Sequence, residues 1–195
     1  MRFAPGAWKL AALPFGAAAV LLFVSPLWGA VAAILSLLVL WFHRDPERTP
    51  PDAGFVSPAD GRVSVLRREG DRIRVGVFMN VTDVHVNRAP APGTLRDLEH
   101  VPGANKPAFS KESDRNERLH FTFDDYRVTL IAGWFARRIY AHVEPGATLD
   151  RGERIGHVSF GSRADVLLPE SVSMADVRVG KGDTVRAGET VLADQ

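Results

Sequence analysis

The sequence of 195 residues contains no cysteine, which excludes disulfide bonds, thiolate metal sites and a cysteine nucleophile. Lysine is scarce as well, since the 24 basic residues include only Lys9, Lys106, Lys111 and Lys181, and the others are arginines. The formal net charge of +1 lacks the strong basic excess that typifies nucleic-acid binding, so no nucleic-acid partner is expected.

Two common catalytic patterns are also missing. There is no Gly-x-Ser-x-Gly motif, which argues against a membrane-anchored serine hydrolase. There is no His-x-x-x-His or similar spacing, so no metal site is predicted, although His120 and His142 are of a type that binds metals.

A long apolar run occupies residues 10–42, with no charge between Lys9 and His43. One membrane-spanning helix needs about 20 apolar residues, and this run is longer and is interrupted at Ser25-Pro26. A cleaved signal peptide has a shorter apolar region followed by small residues, which this run lacks. We therefore expect residues 1–44 to form a membrane anchor, with a hairpin of two helices favoured over a single span.

Basic residues flank this anchor on both sides, at Arg2, Lys9, Arg44 and Arg48. Positive charge is enriched on the cytoplasmic side of membrane proteins. The sequence therefore predicts a cell-membrane protein with both ends of the anchor, and the domain that follows, on the cytoplasmic side.

From Pro50 onward, short alternating segments are separated by Gly, Pro and Asp, and no convincing amphipathic helix is visible. The segment 54–65 reads as strand, turn and strand, and 72–79, 119–123 and 126–132 read as further strands. Residues 45–195 are therefore expected to form one mainly β catalytic domain.

A near-repeat supports a more detailed expectation. Residues 145–155 and 181–191 share the pattern Gly-x-x-(Leu/Val)-x-x-Gly-Glu-x-(Ile/Val). The repeat predicts a pseudo-symmetric β-sandwich or barrel-like domain with hairpins like those of biotinyl and lipoyl carrier domains. A carrier function itself is disfavoured, because the corresponding tip, 170–176, has no lysine to modify.

The pair Gly161-Ser162 is a candidate site of self-cleavage. A serine hydroxyl can attack the preceding carbonyl, turning the peptide into an ester. Elimination and hydrolysis would then leave a pyruvoyl group, which is a built-in electrophilic cofactor. By itself the pair is weak evidence, because Gly-Ser is common in ordinary turns.

Other residues are candidates for supporting roles. Asp60 lies in Ser-Pro-Ala-Asp-Gly, which an ordinary hairpin turn would also explain. Asp83, His85 and Asn87 are expected on one face of a strand, where His85 would be either a general base or a solvated surface histidine. His157 is close enough in sequence to Ser162 to assist cleavage, or it is simply a strand residue.

Taken together, these segments resemble the short type of phosphatidylserine decarboxylase proenzyme over nearly the whole chain. Seven matches occur in order: the apolar N-terminus, 42–48 (FHRDPER), 57–61 (SPADG), 77–90 with VFMN and DVHVNRAP, 116–118 (NER), 131–139 with IAG and ARRI, and 160–169 with FGSR and LP. A set of ordered matches is much more specific than any one of them.

The resemblance implies cleavage between Gly161 and Ser162, giving a β chain of residues 1–161 and an α chain of residues 162–195. The α chain would begin with a pyruvoyl group made from Ser162, which would form a Schiff base with the serine amine of the lipid and assist loss of carbon dioxide. The expected product of phosphatidylserine is phosphatidylethanolamine.

The resemblance also assigns roles to particular residues. Asp60 and His85 match an Asp–His pair that assists self-cleavage, with His157 as the alternative histidine. Substrate-binding roles are expected for Arg88, Glu117, Arg138 and His157. The expected partners are the lipid substrate, the bilayer and the two cleaved chains for each other, with a homodimer as a further option.

Two alternatives stay open. The same residues would serve archaetidylserine, an ether lipid with the same phosphoserine head group. A non-catalytic, membrane-anchored β-sandwich that binds lipids would instead keep its chain intact.

Overall fold

The computed structural model describes residues 2–103, 115–133, 139–158 and 161–195. The chain divides into two compact units, Met1–Glu47 and Arg48–Gln195. The helices are α1 (Ala7–Val24) and α2 (Pro26–Phe42). The strands are β1 (Arg2–Phe3), β2 (Arg44–Asp45), β3 (Phe55–Val56), β4 (Gly61–Glu69), β5 (Arg72–Met79), β6 (Val86–Arg88), β7 (Gly93–Thr94), β8 (Asp97–Val101), β9 (Arg118–Thr122), β10 (Arg127–Ile131), β11 (Ile139–Ala141), β12 (Thr148–Leu149), β13 (Arg154–Val158), β14 (Ser162–Leu167), β15 (Thr184–Val185) and β16 (Val191–Ala193).

The first unit is a pair of apolar helices joined at Ser25, whose extended backbone separates them. Pro26 begins α2, a position where its missing N–H costs nothing. Small residues are buried along both helices: Ala7, Ala11, Ala18, Gly29 and Ser36. A Cβ at Gly29 would lie 2.6 Å from the Leu22 Cγ, so only glycine permits this approach. Small residues at a close helix–helix contact are typical of helices packed in lipid.

Helix α1 has the length and composition of a membrane span, whereas α2 is apolar but has only 17 residues. The two ends of the unit are joined by the antiparallel pair β1–β2, in which Arg2 lies opposite Asp45. Arg44 stacks on Trp41 at the end of α2, with its guanidinium carbon 4.2 Å from the ring centre. The apolar helix supports membrane association.

Arg48, one of the four basic residues used to orient the anchor, does not behave as a charged flank. Its side chain is only 8% exposed and is paired with Asp60 and Glu189 of its own unit. The expectation of a cytoplasmic orientation therefore loses one of its supports.

The second unit confirms the prediction of a mainly β domain. Its largest sheet has seven strands in the order β15-β4-β5-β14-β10-β9-β8, with antiparallel neighbours throughout. A smaller sheet has the order β11-β13-β6, and the two-stranded pairs are β12–β7 and β16–β3. Strand β14 lies in the middle of the large sheet, hydrogen-bonded to β5 on one side and β10 on the other.

One face of the large sheet forms the hydrophobic core, as alternation along its strands requires. The buried apolar residues of that face include Ile73, Val75, Val77, Phe121, Val128, Leu130, Ala164 and Val166. Burying a side chain such as Val or Leu completely is worth about 1.5–3 kcal/mol, so this face dominates the stability of the unit.

The near-repeat seen in the sequence is also a repeat of backbone conformation. Gly152 and Gly188, which are 36 residues apart, have φ angles of 79° and 74°. The two turns touch, since a Cβ at Gly188 would lie 3.4 Å from the Gly152 Cα. The repeated glycines therefore serve both the turn and the close approach of the two copies.

The segment around His85 differs from its predicted form. The strand begins only at Val86, because residues before it form a turn in which the Asp83 amide donates to the Asn80 carbonyl and the Asp83 carboxylate accepts from the Asn80 amide. The expectation that Asp83, His85 and Asn87 share a strand face was therefore wrong. His85 is also not a solvated surface residue, since it is only 3% exposed.

Candidate active site

Ser162 is the first residue of β14 and is completely buried. Its Cα partner across the sheet is Met79, the last residue of β5, and its Oγ lies 4.0 Å from the Met79 sulfur. Alternation along β14 places Ser162 on the same face as Ala164 and Val166, which belong to the core. The hydroxyl is therefore held in a dry place at the end of a central strand.

Gly161, on the other side of the candidate bond, has a φ of 64°, which is the left-handed region. The chain thus changes direction sharply just before it enters the sheet. Among the described residues, its chain neighbours left out, no heavy atom lies within 4 Å of the position that a Cβ at Gly161 would take. The described residues therefore leave space beside the Gly161 Cα, whereas the Ser162 side chain is buried.

Asp60 immediately precedes β4 and is held by two donors. The Arg48 guanidinium donates to both carboxylate oxygens, at 2.8 and 3.1 Å, and the Ala187 amide donates at 2.8 Å. Burial raises the pKa of the Asp60 carboxyl above its usual value, and the Ala187 amide and Arg48 counteract that rise in part. Asp60 is therefore a largely buried carboxyl whose charged form is stabilised by the Ala187 amide and by Arg48.

The end of the large sheet brings Asp60, Ser162 and Glu117 into one row. Gly61 lies against the backbone of β5, where a Cβ would be only 2.1 Å from the Phe78 carbonyl oxygen. On the other side of Ser162, the Ala132 amide donates to the Glu117 carbonyl at 2.9 Å. With strands about 4.8 Å apart, the Cα of Gly61 and that of Ser162 are about 10 Å apart. One intervening side chain can bridge such a gap.

His85 lies in the segment before β6, two residues before Asn87, whose Nδ2 is 3.5 Å from the Met79 sulfur. Its Nδ1 lies 2.9 Å from the Asp83 carbonyl oxygen, which can only accept, so Nδ1 carries the proton. The basic nitrogen of a neutral His85 is therefore Nε2. Burial makes this imidazole a candidate base that water does not surround.

Asn87, two residues further on, is completely buried near the same sulfur as Ser162. Its Nδ2 lies 3.5 Å from the Met79 sulfur and 3.4 Å from the Pro58 carbonyl oxygen. Its Oδ1 is buried and accepts no hydrogen bond within the described part of the chain. Such an atom carries a desolvation cost unless a partner reaches it, so Asn87 is a candidate contact for a reacting group.

His157 lies on β13, where its Cα partner is Val86, the residue after His85. It is buried, stacks on Tyr140 with ring centres 4.6 Å apart, and shares a 2.8 Å hydrogen bond between its Nδ1 and the His142 Nε2. The structure thus brings both candidate histidines to neighbouring segments, with one ring nitrogen of His157 engaged by His142.

The other predicted substrate contacts are placed as follows. Arg88 is buried on β6 and its guanidinium donates to the Gly152 carbonyl at 2.8 Å, so it holds a turn of the repeat. Glu117 lies at the sheet end beside Ala132, and its carboxylate is 2.9 Å from the His100 Nε2. Arg138 lies outside the described residues.

Two residues of the site were not singled out from the sequence, and a third was given no role. Arg48 was noted only as a flanking charge and Met79 only as part of a longer segment, while Asn87 was placed beside His85 without a function. A signal existed for Arg48, because a buried Asp60 requires a cationic partner and the segment 42–48 ends in arginine. Nothing in the sequence pairs Met79 with Ser162, since that pairing follows from strand order.

Comparison with known proteins adds an independent finding. Residues 35–193 match the family model described as phosphatidylserine decarboxylase. A Halobacterium salinarum protein, provisionally named an archaetidylserine decarboxylase proenzyme, is 55% identical over 190 residues, covering 97% of each chain. A phosphatidylserine decarboxylase proenzyme of Streptomyces griseus is 46% identical over 171 residues, covering 84% of this chain and 78% of its own.

Proposed function

This chain belongs to the phosphatidylserine decarboxylase family, and we propose that it decarboxylates the phosphoserine head group of a membrane lipid after cutting itself between Gly161 and Ser162. The observation that carries the proposal is the position of Ser162. It is a buried serine at the start of a central strand, behind a left-handed glycine, and it is paired with Met79. Asp60 lies in the same row at the sheet end, and Asn87, two residues after His85, contacts the Met79 sulfur.

The cleavage we propose begins with Ser162 Oγ attacking the Gly161 carbonyl carbon. The C–N bond breaks, the serine nitrogen becomes an amine, and an ester joins the two residues. Loss of the Ser162 α-proton then breaks the Cβ–O bond, releasing a Gly161 carboxylate and leaving dehydroalanine at position 162. Addition of water and departure of ammonia give the pyruvoyl group. No oxidant or reductant is required.

His85 is the base that we assign to the first step. Its proton is on Nδ1, so Nε2 accepts the proton from the Ser162 hydroxyl. Asp60 supplies the negative charge that stabilises the imidazolium, and Arg48 is a positioning residue that fixes the Asp60 carboxylate.

A keto group at position 162 would supply an electron sink for decarboxylation. It fits the site, because it occupies the volume of the serine from which it is made. Met79 and Asn87 would border it and exclude water, and the Asn87 Oδ1 would accept a hydrogen bond from the amine of the lipid. Glu117, Arg88, His157 and Arg138 remain proposed substrate contacts.

We further propose that α1 and α2 cross the membrane as a hairpin in an anchor of residues 1–44, with residues 45–195 as a pseudo-symmetric β-sandwich on the cytoplasmic side. The small-residue contact between the helices and the β1–β2 pair that joins their ends support the hairpin. The matching turns at Gly152 and Gly188 support the symmetry. A homodimer is a further option that the chain leaves open.

A second substrate is favoured by a specific observation. The Halobacterium salinarum relative, which matches nearly the full length at 55% identity, is named for archaetidylserine rather than phosphatidylserine. The phosphoserine head group is common to both lipids, so the reactive residues do not select between them. Release of carbon dioxide from each lipid, presented at equal density in the same detergent, would separate the two.

The test of the proposal is the intact mass of the purified full chain. We expect fragments 1–161 and 162–195 in the wild type, the second without a free amino terminus, and a single chain in Ser162→Ala. Ser173→Ala is the matched control, since Ser173 is an exposed turn serine of the same segment and should leave cleavage unchanged. A wild type that stays whole in a folded membrane preparation would refute the proposal and favour the lipid-binding alternative.

A further inference from the structure

A group of basic residues lines a cavity on the outer face of the large sheet, whereas Ser162 points to the core on the inner face. Alternation along β14 places Ser162, Ala164 and Val166 toward the core, and Arg163 and Asp165 toward the other face. On that outer face, a cavity of about 320 Å³ is lined by Arg67, Glu69, Arg74, Arg118, His120, Thr129 and Ile131. We call it the outer-face cavity.

The described residues that line this cavity carry more positive than negative charge. Three arginines accompany one carboxylate, Glu69, which is bonded to Arg74 and lies 3.6 Å from Arg67. Beneath them, Asp165 is completely buried and forms ion pairs with Arg74 at 3.0 Å and with Arg163 at 2.8 Å, so its charge is already neutralised by these two arginines. The cavity lining therefore keeps a positive excess.

Arg118 has a buried hydrogen-bond donor in this cavity that could bind a ligand. Its Nε is buried and has no acceptor within the described ranges of the chain. A buried guanidinium N–H without an acceptor is costly, and a guanidinium offers a planar fork of donors that suits a phosphate. Its side chain lies on the same strand face as His120, two residues away.

The pKa of His120 reflects the positive electrostatic potential in the cavity. Partial burial lowers the pKa of the His120 imidazole, and the charges of Arg127 and Arg118 lower it further, against a smaller opposing effect of Glu99. The His120 Nδ1 lies 2.8 Å from the Thr129 hydroxyl, which fixes the ring and leaves Nε2 as the other polar edge. A positive potential and a fixed imidazole are what an anion would meet there.

We propose that the outer-face cavity binds a phosphate group, with Arg118 as the main donor and Arg67, Arg74 and His120 as the other contacts. Two sources share this chemistry, a free phosphate and the phosphate of an anionic lipid without a serine head group. The site is separate from Ser162, because the sheet itself lies between them.

The experiment uses the full chain in nanodiscs of zwitterionic lipid, with histidine-selective isotope labelling. The NMR signal of His120 is identified as the one missing in His120→Gln. One arm adds inorganic phosphate at constant ionic strength, and the other replaces part of the lipid with phosphatidylglycerol. We expect a saturable shift of the His120 signal and a raised His120 pKa in at least one arm, and the responding arm identifies the source.

Variants decide whether the cavity is responsible. Arg118→Gln should weaken the response about tenfold, as loss of one charge-assisted hydrogen bond implies. Arg67→Gln, at a more exposed position, should weaken it less and keeps the test valid if Arg118→Gln fails to fold. Arg178→Gln removes an exposed arginine elsewhere and should change nothing. No saturable shift in either arm, or equal weakening by the Arg118 and Arg178 changes, would overturn the proposal.

Discussion

Replacing Arg48 with glutamine should make self-cleavage depend on pH in a way that the wild type does not. The Arg48 guanidinium donates two hydrogen bonds to Asp60, and the two side chains are only 8% and 15% exposed. Burial already raises the pKa of Asp60, and Arg48 is one of the groups that limit the rise. Without the guanidinium, the Asp60 carboxyl will hold its proton to a higher pH.

The size of the effect follows from the geometry. A close opposite charge lowers the pKa of a carboxyl, so Arg48→Gln should raise the pKa of Asp60 further. If ionised Asp60 is needed, cleavage on the acid side of the profile slows about tenfold for each unit of that rise. Leaving one member of a buried ion pair alone should also lower the free energy of unfolding by about 3 kcal/mol.

Stability and cleavage should then respond to pH in opposite directions. Because the folded-state pKa of Asp60 lies above its unfolded value of 3.8, the folded chain binds the proton more tightly. Its contribution to stability is complete below the unfolded pKa and is lost as pH rises through the folded pKa, which Arg48→Gln moves upward. Raising the pH should therefore speed cleavage in the variant while lowering its melting temperature.

The assay is the rate at which the 34-residue fragment 162–195 appears after cell-free synthesis of the full chain into nanodiscs, at several pH values. Arg178→Gln, which breaks an exposed pair with Asp194, is the matched control and should follow the wild type. A variant that merely misfolds would not recover at higher pH. The assigned role of Arg48 and Asp60 would be refuted if the cleavage rate of the variant fell at acidic pH just as that of the wild type does. It would also be refuted if cleavage of the variant stayed slow at every pH.

Three further predictions concern the same end of the domain. Gly161→Ala should cost about 1 kcal/mol by thermal melting and still allow cleavage, because its left-handed φ is what disfavours a side chain there. Gly61→Ala, in contrast, should not fold, since its Cβ would clash with a carbonyl oxygen of β5. Asn87→Leu should leave the melting temperature nearly unchanged but reduce carbon dioxide release at least tenfold, and equal activity would remove Asn87 from the site. His85→Gln should slow fragment release about a hundredfold or more and His157→Gln by less than tenfold, and the reverse order would transfer the role of base to His157.

The alternation of apolar and polar residues predicted the bounds of several strands well, but it did not predict the turn before β6. The alternation of 72–79 gave β5 with its bounds, and the segments 119–123 and 126–132 fell within one residue of β9 and β10. Alternation reports a half-buried strand directly, so such segments can be read from a single sequence. The prediction of a strand through 83–87 was wrong, because a hydrogen bond from the Asn80 amide to the Asp83 carboxylate favours a turn over extension of the strand.

The composition of the site could be predicted only in part. Ser162, Asp60 and His85 could be proposed because each lies in a distinctive short segment. The contacts that Arg48 makes with Asp60, and Ser162 with Met79, depend on which strands become neighbours, and that order is set by the packing of the whole core. The positive field of the outer-face cavity was equally hidden, since its three arginines come from three different strands, β4, β5 and β9.

The central position of β14 has a consequence for the order of events in the life of this protein. A cut chain would refold only by a second-order encounter of two fragments, and the smaller one would have to insert a strand between β5 and β10. The uncut chain closes the same sheet by a first-order process. The proposed cut would therefore have to follow folding, and denaturation of the cut chain should be irreversible at low concentration.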